Sequence, residues 1–199
     1  MENYTTQAFP DPEPSEGSTP KSASIRFILD ILQTLVLSAM LFLLINAVSA
    51  RIRVESISMQ PTLYEGDFVF VNRLAYRLGT PGRGYIIIFR YPPDPERTPY
   101  IKRVIGLPGD TVRVENGQVL VNEVALREPY IKANPTYTGS WQVPAEALFV
   151  LGDNRNSSSD SHDWGMVPLA NVIGKAELIY LPFSHWQVLD PNNAAATEP

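Results

Sequence analysis

Thr111-Val112-Arg113-Val114-Glu115-Asn116-Gly117-Gln118-Val119-Leu120-Val121 alternates apolar and polar side chains, breaks at Asn-Gly, and resumes with β-branched residues. Alternation with a period of two places one face of each strand on a core. Asn-Gly is the dipeptide that a two-residue hairpin turn prefers, because both of its positions need positive φ. The stretch therefore predicts an antiparallel hairpin, and its surroundings extend the pattern. Asp67 to Asn72, Tyr85 to Arg90, Ala147 to Leu151 and Lys175 to Tyr180 are short runs of β-branched and aromatic residues, which read as further strands. Pro92-Pro93-Asp94-Pro95 and the segment from Pro129 to Pro144 read as loops or edges, since proline cannot donate to a ladder. No long helical period follows residue 50. The expected fold is mostly β, an antiparallel sheet domain.

Upstream of the β-rich part the chemistry changes. From Ile31 to Ala50 the only strongly polar side chains are Gln33 and Asn46. At ~1.5 Å per residue the stretch reaches roughly 30 Å as a helix, one bilayer core. An alternative is a cleaved signal peptide, with its apolar core at Leu35 to Ile45 and the small residues Val48-Ser49-Ala50 at the cut. The leader before it is long, acidic and rich in Pro, Ser and Thr, a poor match to a basic signal-peptide start, and cleavage would leave Ser58 close to a free terminus. The anchor is the preferred reading. Flanking charge does not orient it, because Lys21 and Arg26 stand at one end and Arg51 and Arg53 at the other. The expected organisation is a disordered tail over 1–27, a transmembrane anchor over 28–50, a β-rich domain over 51–182 with a small accessory hairpin and loop region at about 111–146, and a C-terminal tail over 183–199.

Composition narrows the function. The 199 residues carry a net charge of −5, which argues against a nucleic-acid surface. With no cysteine, disulfides and thiolate metal sites are excluded. With only two histidines, His162 and His185, and no acid-histidine-serine order, both read as structural or exposed.

The remaining candidates for chemistry are Ser58 and Lys102. A serine hydroxyl is a weak nucleophile until a neighbour takes its proton, and a neutral lysine can do so. Lys102 lies among Ile101, Val104 and Ile105, a setting that can desolvate its amine. From a reference pKa of ~10.4, burial can lower such a group by up to ~3–5 units. The alternative is a lysine on the solvent face of a strand, with Arg103 pointing the other way. Ser56 shares a face with Ser58 if the segment is extended, although an ordinary polar loop before Pro61 fits too. Leu151 to Ser161 ends a strand in a hydroxyl-rich loop whose acids do not have EF-hand spacing, so no metal is expected there.

Three segments together resemble the bacterial type I signal peptidases, also called leader peptidases. They are Ser58-Met59-x-Pro61-Thr62-Leu63, Lys102-Arg103-x-x-Gly106-x-Pro108-Gly109-Asp110, and Gly152-Asp153-Asn154-Arg155-x-x-Ser158-x-Asp160-Ser161, the last followed by Trp164-Gly165-x-Val167-Pro168. The resemblance covers roughly Ile28 to Pro182. It implies a membrane-bound serine endopeptidase that removes signal peptides from exported preproteins after Ala-x-Ala-like sequences by a Ser-Lys dyad, without cofactor or metal, as a monomer. It implies one membrane pass, with the catalytic domain on the outer side of the plasma membrane or of an internal one.

Carried over by position, Ser58 is the nucleophile, Lys102 the general base, and Ser56 with the Ser58 N–H the oxyanion hole. Ser158 orients the lysine, and Asp153, Arg155 and Asp160 brace the site by ion pairs. Where the family often has arginine two positions after that last aspartate, this chain has His162, so an ion pair there is not carried over. Ile52, Val54, Met59, Leu63, Val69, Ile88 and Ile101 are the expected pocket walls for small side chains before the scissile bond. Two rival readings are a soluble self-cleaving repressor domain, which shares the dyad but not the Gly152-Asp153-Asn154-Arg155 box, and a membrane-anchored β-rich binding protein.

Overall fold

The computed structural model describes residues 20–189; the calls on the first nineteen residues and the last ten, the outer parts of the two expected tails, lie outside them. Helix α1 spans Pro20–Val48. Its stretch Ser24–Val48 is long and apolar enough to cross a membrane, and its large apolar side chains from Ile25 to Ile45 are exposed. The helix starts well before residue 28, so residues 20–27 are helical rather than tail, and it ends before residue 50. A strand begins immediately after it. There the Ser49 hydroxyl donates to the Ile45 carbonyl at 2.8 Å and the Arg73 N–H donates to the Val48 carbonyl at 2.9 Å, satisfying acceptors that the helix end leaves open.

The chain from residue 45 onward forms a second compact unit built on two antiparallel sheets. The larger contains β1 (Ser49–Arg53), β2 (Phe68–Asn72), β3 (Ile86–Phe89), β4 (Tyr100–Gly106), β9 (Ala147–Leu151), β10 (Val167–Pro168), β11 (Val172–Leu181) and β12 (Gln187–Val188). Its order is β1-β2-β11-β3-β4-β9-β10, with β12 paired to β11. The smaller sheet, in the order β7-β6-β5-β8, uses β5 (Thr111–Glu115), β6 (Gln118–Val121), β7 (Val124–Ala125) and β8 (Gly139–Gln142). At the β5–β6 turn, Asn116 and Gly117 have φ of 51° and 75°, the left-handed pair that a two-residue hairpin demands.

Alternation explains the packing. On β3, Ile86 and Ile88 face one core, shared with Val54, Met59, Leu63, Val69 and Ile101, while Ile87 and Phe89 face another with Val104, Leu148 and Val150. Both faces are covered, which is why the Ile-Ile-Ile-Phe run shows no polar alternation. Phe149 and Leu151, on the other side of β9, pack with Val112, Val114, Val119 and Val121 and join the two sheets. The C-terminal segment departs from the expected tail: after a short turn at Phe183–His185, β12 pairs with β11 and Leu189 is buried in the first core. A segment this short carries no periodic signal, and only its docked leucine holds it.

Candidate active site

Ser58 sits in the turn region after β1, and Lys102 lies on β4 opposite Ile87. The Lys102 Nζ lies 2.6 Å from the Ser58 Oγ, and the two residues are 4% and 6% exposed. The Ser56 Oγ is 3.2 Å from the Ser58 Oγ, so both hydroxyls face one point. Tyr100, two residues before Lys102 and so on the same strand face, places its ring 5.6 Å from the Nζ. Burial pulls Lys102 down to about 8, against the opposing charges of Asp160 and Asp153. An amine with that value is neutral often enough near neutral pH to accept a proton, which a surface lysine is not.

The hydroxyl-rich loop after β9 clamps the serine. The Asn154 N–H donates to the Ser58 carbonyl at 3.0 Å, and the Asn154 amide donates to the Ile57 carbonyl at 3.1 Å. Gly152 is pressed on the same point: a Cβ there would lie 2.4 Å from the Ser58 carbonyl oxygen and 2.2 Å from the Ser158 Oγ.

Two buried ion pairs hold this loop. Arg103 donates to Asp153 through Nε at 2.8 Å and Nη2 at 2.6 Å, and the Thr62 hydroxyl donates to the same carboxylate at 2.5 Å. Arg155 donates to the Gly152 carbonyl at 3.0 Å and reaches Glu128 bidentately, at 2.6 and 2.7 Å. The Tyr130 ring lies under the Arg103 guanidinium at 3.9 Å, and its hydroxyl donates to Glu128 at 2.8 Å. Asp160 accepts the Gly152 N–H at 2.9 Å and faces His162 Nδ1 at 2.6 Å.

Two expected sets of contacts are not seen in this structure. The Ser158 Oγ is buried without a hydrogen-bond partner among the described residues and makes no hydrogen bond to Lys102 here. The amine turns to Ser58 instead, and Ser158 packs against Gly152. Of the expected pocket residues, Ile52, Val54 and Ile101 line a cleft of about 590 Å³ beside the serine and lysine, together with Tyr100 and Ser56. Met59, Leu63, Val69 and Ile88 do not. All four have zero exposure, in the core behind those walls. Val69 pairs with Ile52, and Ile88 with Ile101, each one strand further from the opening.

Glu128 and Tyr130 were missed by sequence reasoning, and Thr62, though part of the serine segment, was given no role. The only signal for Glu128 is indirect: an arginine as buried as Arg155 requires a carboxylate, and nothing local says which one.

Residues 25–181 match the model of the family described as signal peptidase, peptidase S26. The chain belongs to this family. It is 41% identical to signal peptidase I of Leptolyngbya laminosa over 96% of this chain and 98% of the relative. It is 39% identical to probable signal peptidase I-1 of Synechocystis sp. over 85% of this chain and 90% of the relative. A solved signal peptidase I from Enterococcus faecalis matches at 34% identity with a TM-score of 0.45, over 49% of this chain and 97% of that one. Membership makes the chain a serine peptidase, and its relatives' shared name goes with the removal of signal peptides.

Proposed function

We propose that this chain removes signal peptides from exported preproteins with Ser58 as nucleophile and Lys102 as general base. One observation carries the reading: a desolvated amine 2.6 Å from a buried serine hydroxyl, opening onto an apolar cleft. The substrate lies extended against β1, an edge strand with backbone groups free to pair, and puts small side chains against Ile52, Val54 and Ile101. Apolar walls with little room favour Ala-x-Ala-like sequences.

As the Ser58 Oγ attacks the scissile carbonyl, Lys102 takes its proton. The developing oxyanion is met by the Ser56 hydroxyl and the Ser58 N–H. The Lys102 ammonium then protonates the leaving amine, and the acyl-enzyme forms. Water, deprotonated by the same lysine, attacks the ester; its C–O bond breaks, the lysine returns the proton to the Ser58 Oγ, and the signal peptide leaves with a free carboxylate. No cofactor enters the cycle. The helix at Ser24–Val48 serves as a single membrane pass, with the domain after Arg51 on the extracytoplasmic face of the plasma membrane or an internal one, acting as a monomer.

The test is a detergent extract assayed on a synthetic peptide with an Ala-x-Ala site. Ser58→Ala and Lys102→Ala each abolish cleavage while remaining folded and membrane-bound, and the double variant is no worse than either. Near-normal turnover by either single variant overturns the assignment. Protease added to intact cells tests the side of the membrane.

A further inference from the structure

His162 stands outside the chemistry described above but is tied to it. Its Nδ1 is 2.6 Å from Asp160 Oδ1, and the other oxygen of that carboxylate holds the Gly152 N–H at 2.9 Å. Gly152 in turn presses on the Ser58 carbonyl. The second ring nitrogen, Nε2, lies 3.1 Å from Asp163 Oδ1, and the ring stacks on Tyr137 with centroids 3.9 Å apart and planes 6° from parallel.

Among the described residues, the charged and titratable groups that face His162 are Asp160 and Asp163 on its own short helix (Ser161–Trp164) and cap, and Tyr137 from the segment before β8. Beyond Tyr137 lie Arg155 and Glu128, which are paired with each other. Asp160 is joined to Lys102 by contacts: its carboxylate holds the Gly152 N–H at 2.9 Å, Gly152 abuts the Ser58 carbonyl, and the Ser58 hydroxyl meets the Lys102 Nζ at 2.6 Å, so the carboxylate charge favours the ammonium form. A neutral imidazole donates through one nitrogen only, so carboxylates at both nitrogens and an aromatic face match the imidazolium. The hydrogen bond to Asp160 raises His162 above its ordinary value, with burial opposing.

We propose that His162 is a titratable positioning residue, whose ring charge sets how much of the Asp160 charge reaches Lys102. The inference rests on Lys102 being the base. With the ring protonated, its charge offsets part of that of Asp160, and Lys102 gives up its proton more easily. With the ring neutral, Asp160 acts on Lys102 in full and the neutral amine becomes scarcer. As pH falls, Lys102 gains a proton while His162 gains one that opposes it. The two titrations are negatively coupled, and the acid limb of kcat/KM is shallower than one proton per pH unit.

The experiment compares pH profiles of the full chain in detergent micelles for the wild type, His162→Arg and His162→Gln. A permanent cation in His162→Arg keeps activity and moves the midpoint to lower pH. His162→Gln moves it up, separating the two by about half a unit, or ~3-fold in kcat/KM at a fixed pH on the limb. Both variants return to a one-proton slope. A loss of packing alone would lower all rates without reordering midpoints.

Should His162→Gln fold poorly, a second measurement remains. The His162 ring is titrated by NMR in the wild type and in Lys102→Met. Removing the lysine raises the His162 midpoint by the same half unit, because coupling is reciprocal. Identical slopes and midpoints in all three enzymes, or a His162 midpoint indifferent to Lys102, overturn the inference. If Lys102→Ala retains turnover, the proposed function fails instead, and the NMR coupling still reports on His162 alone.

Discussion

Gly152→Ala is the sharpest probe of how the loop after β9 holds the nucleophile. The added methyl would sit 2.4 Å from the Ser58 carbonyl oxygen, 2.2 Å from the Ser158 Oγ and 2.6 Å from the Ser158 Cβ. Ser158 can turn its hydroxyl aside, since that oxygen makes no hydrogen bond among the described residues. The Ser58 carbonyl cannot, because it is backbone and already accepts from the Asn154 N–H at 3.0 Å. Ordinary contact begins at 3.4 Å, so 3.4 − 2.4 leaves about 1 Å for the nucleophile's own peptide to absorb. A reacting group misplaced by that distance costs roughly 10² in rate. Overpacking of this size costs roughly 1–3 kcal/mol of stability. The assay is kcat and KM on an Ala-x-Ala peptide in detergent, beside a thermal melt of the same preparation. The expected result is a kcat lower by about two orders of magnitude with KM nearly unchanged, since the cleft walls do not include Gly152. Wild-type kcat in a folded variant would refute the clamp.

Ser56→Ala should lower kcat by roughly 10²–10³ with little effect on KM, as a donor needed only when charge develops on the carbonyl oxygen; a loss confined to KM would make it a substrate-positioning residue. Glu128→Gln strands the Arg155 guanidinium, 0% exposed, without its carboxylate, and should cost on the order of 3 kcal/mol in chemical denaturation of the detergent-solubilised chain; an unchanged midpoint would show the pair to be dispensable. With Lys102 at about 8, kcat/KM should fall as pH drops through that region, because only the neutral amine accepts the serine proton; an acid limb near 4 or near 10.4 would rule out a tuned lysine.

The parts of this fold legible in the sequence were those with a local rule. The hairpin at Thr111–Val121 combines alternation with a turn that only certain residues make, and both features are present. The Ile86–Phe89 run was legible as a strand, but not which core each side chain entered. Met59, Leu63, Val69 and Ile88 were carried over by position from the family resemblance, and nothing in the sequence separates an apolar wall from the core behind it. Wall and floor differ only by strand order, which places β2, β11 and β3 behind β1 and β4. Glu128 was illegible for a related reason: its partner Arg155 is distant in sequence, and the pairing exists only once the smaller sheet packs against β9.

Adjacent residues Lys102 and Arg103 show how one strand can host both chemistry and support. They are 4% and 3% exposed, so neither lies on the solvent face that a charged pair on a strand would suggest. Their fates diverge because alternation sends them to opposite sides. Burial alone would push Arg103 down, but the charge and hydrogen bonds of Asp153 more than offset it and hold Arg103 above its ordinary value. Lys102 meets a serine hydroxyl rather than a carboxylate, and burial wins. Exchanging these surroundings would leave a permanently charged base and a buried guanidinium without a counter-ion. The order Lys-Arg on β4 is therefore a division of labour: a cation that must lose its charge stands beside one that must keep it, and the Asp153 carboxylate goes to the second.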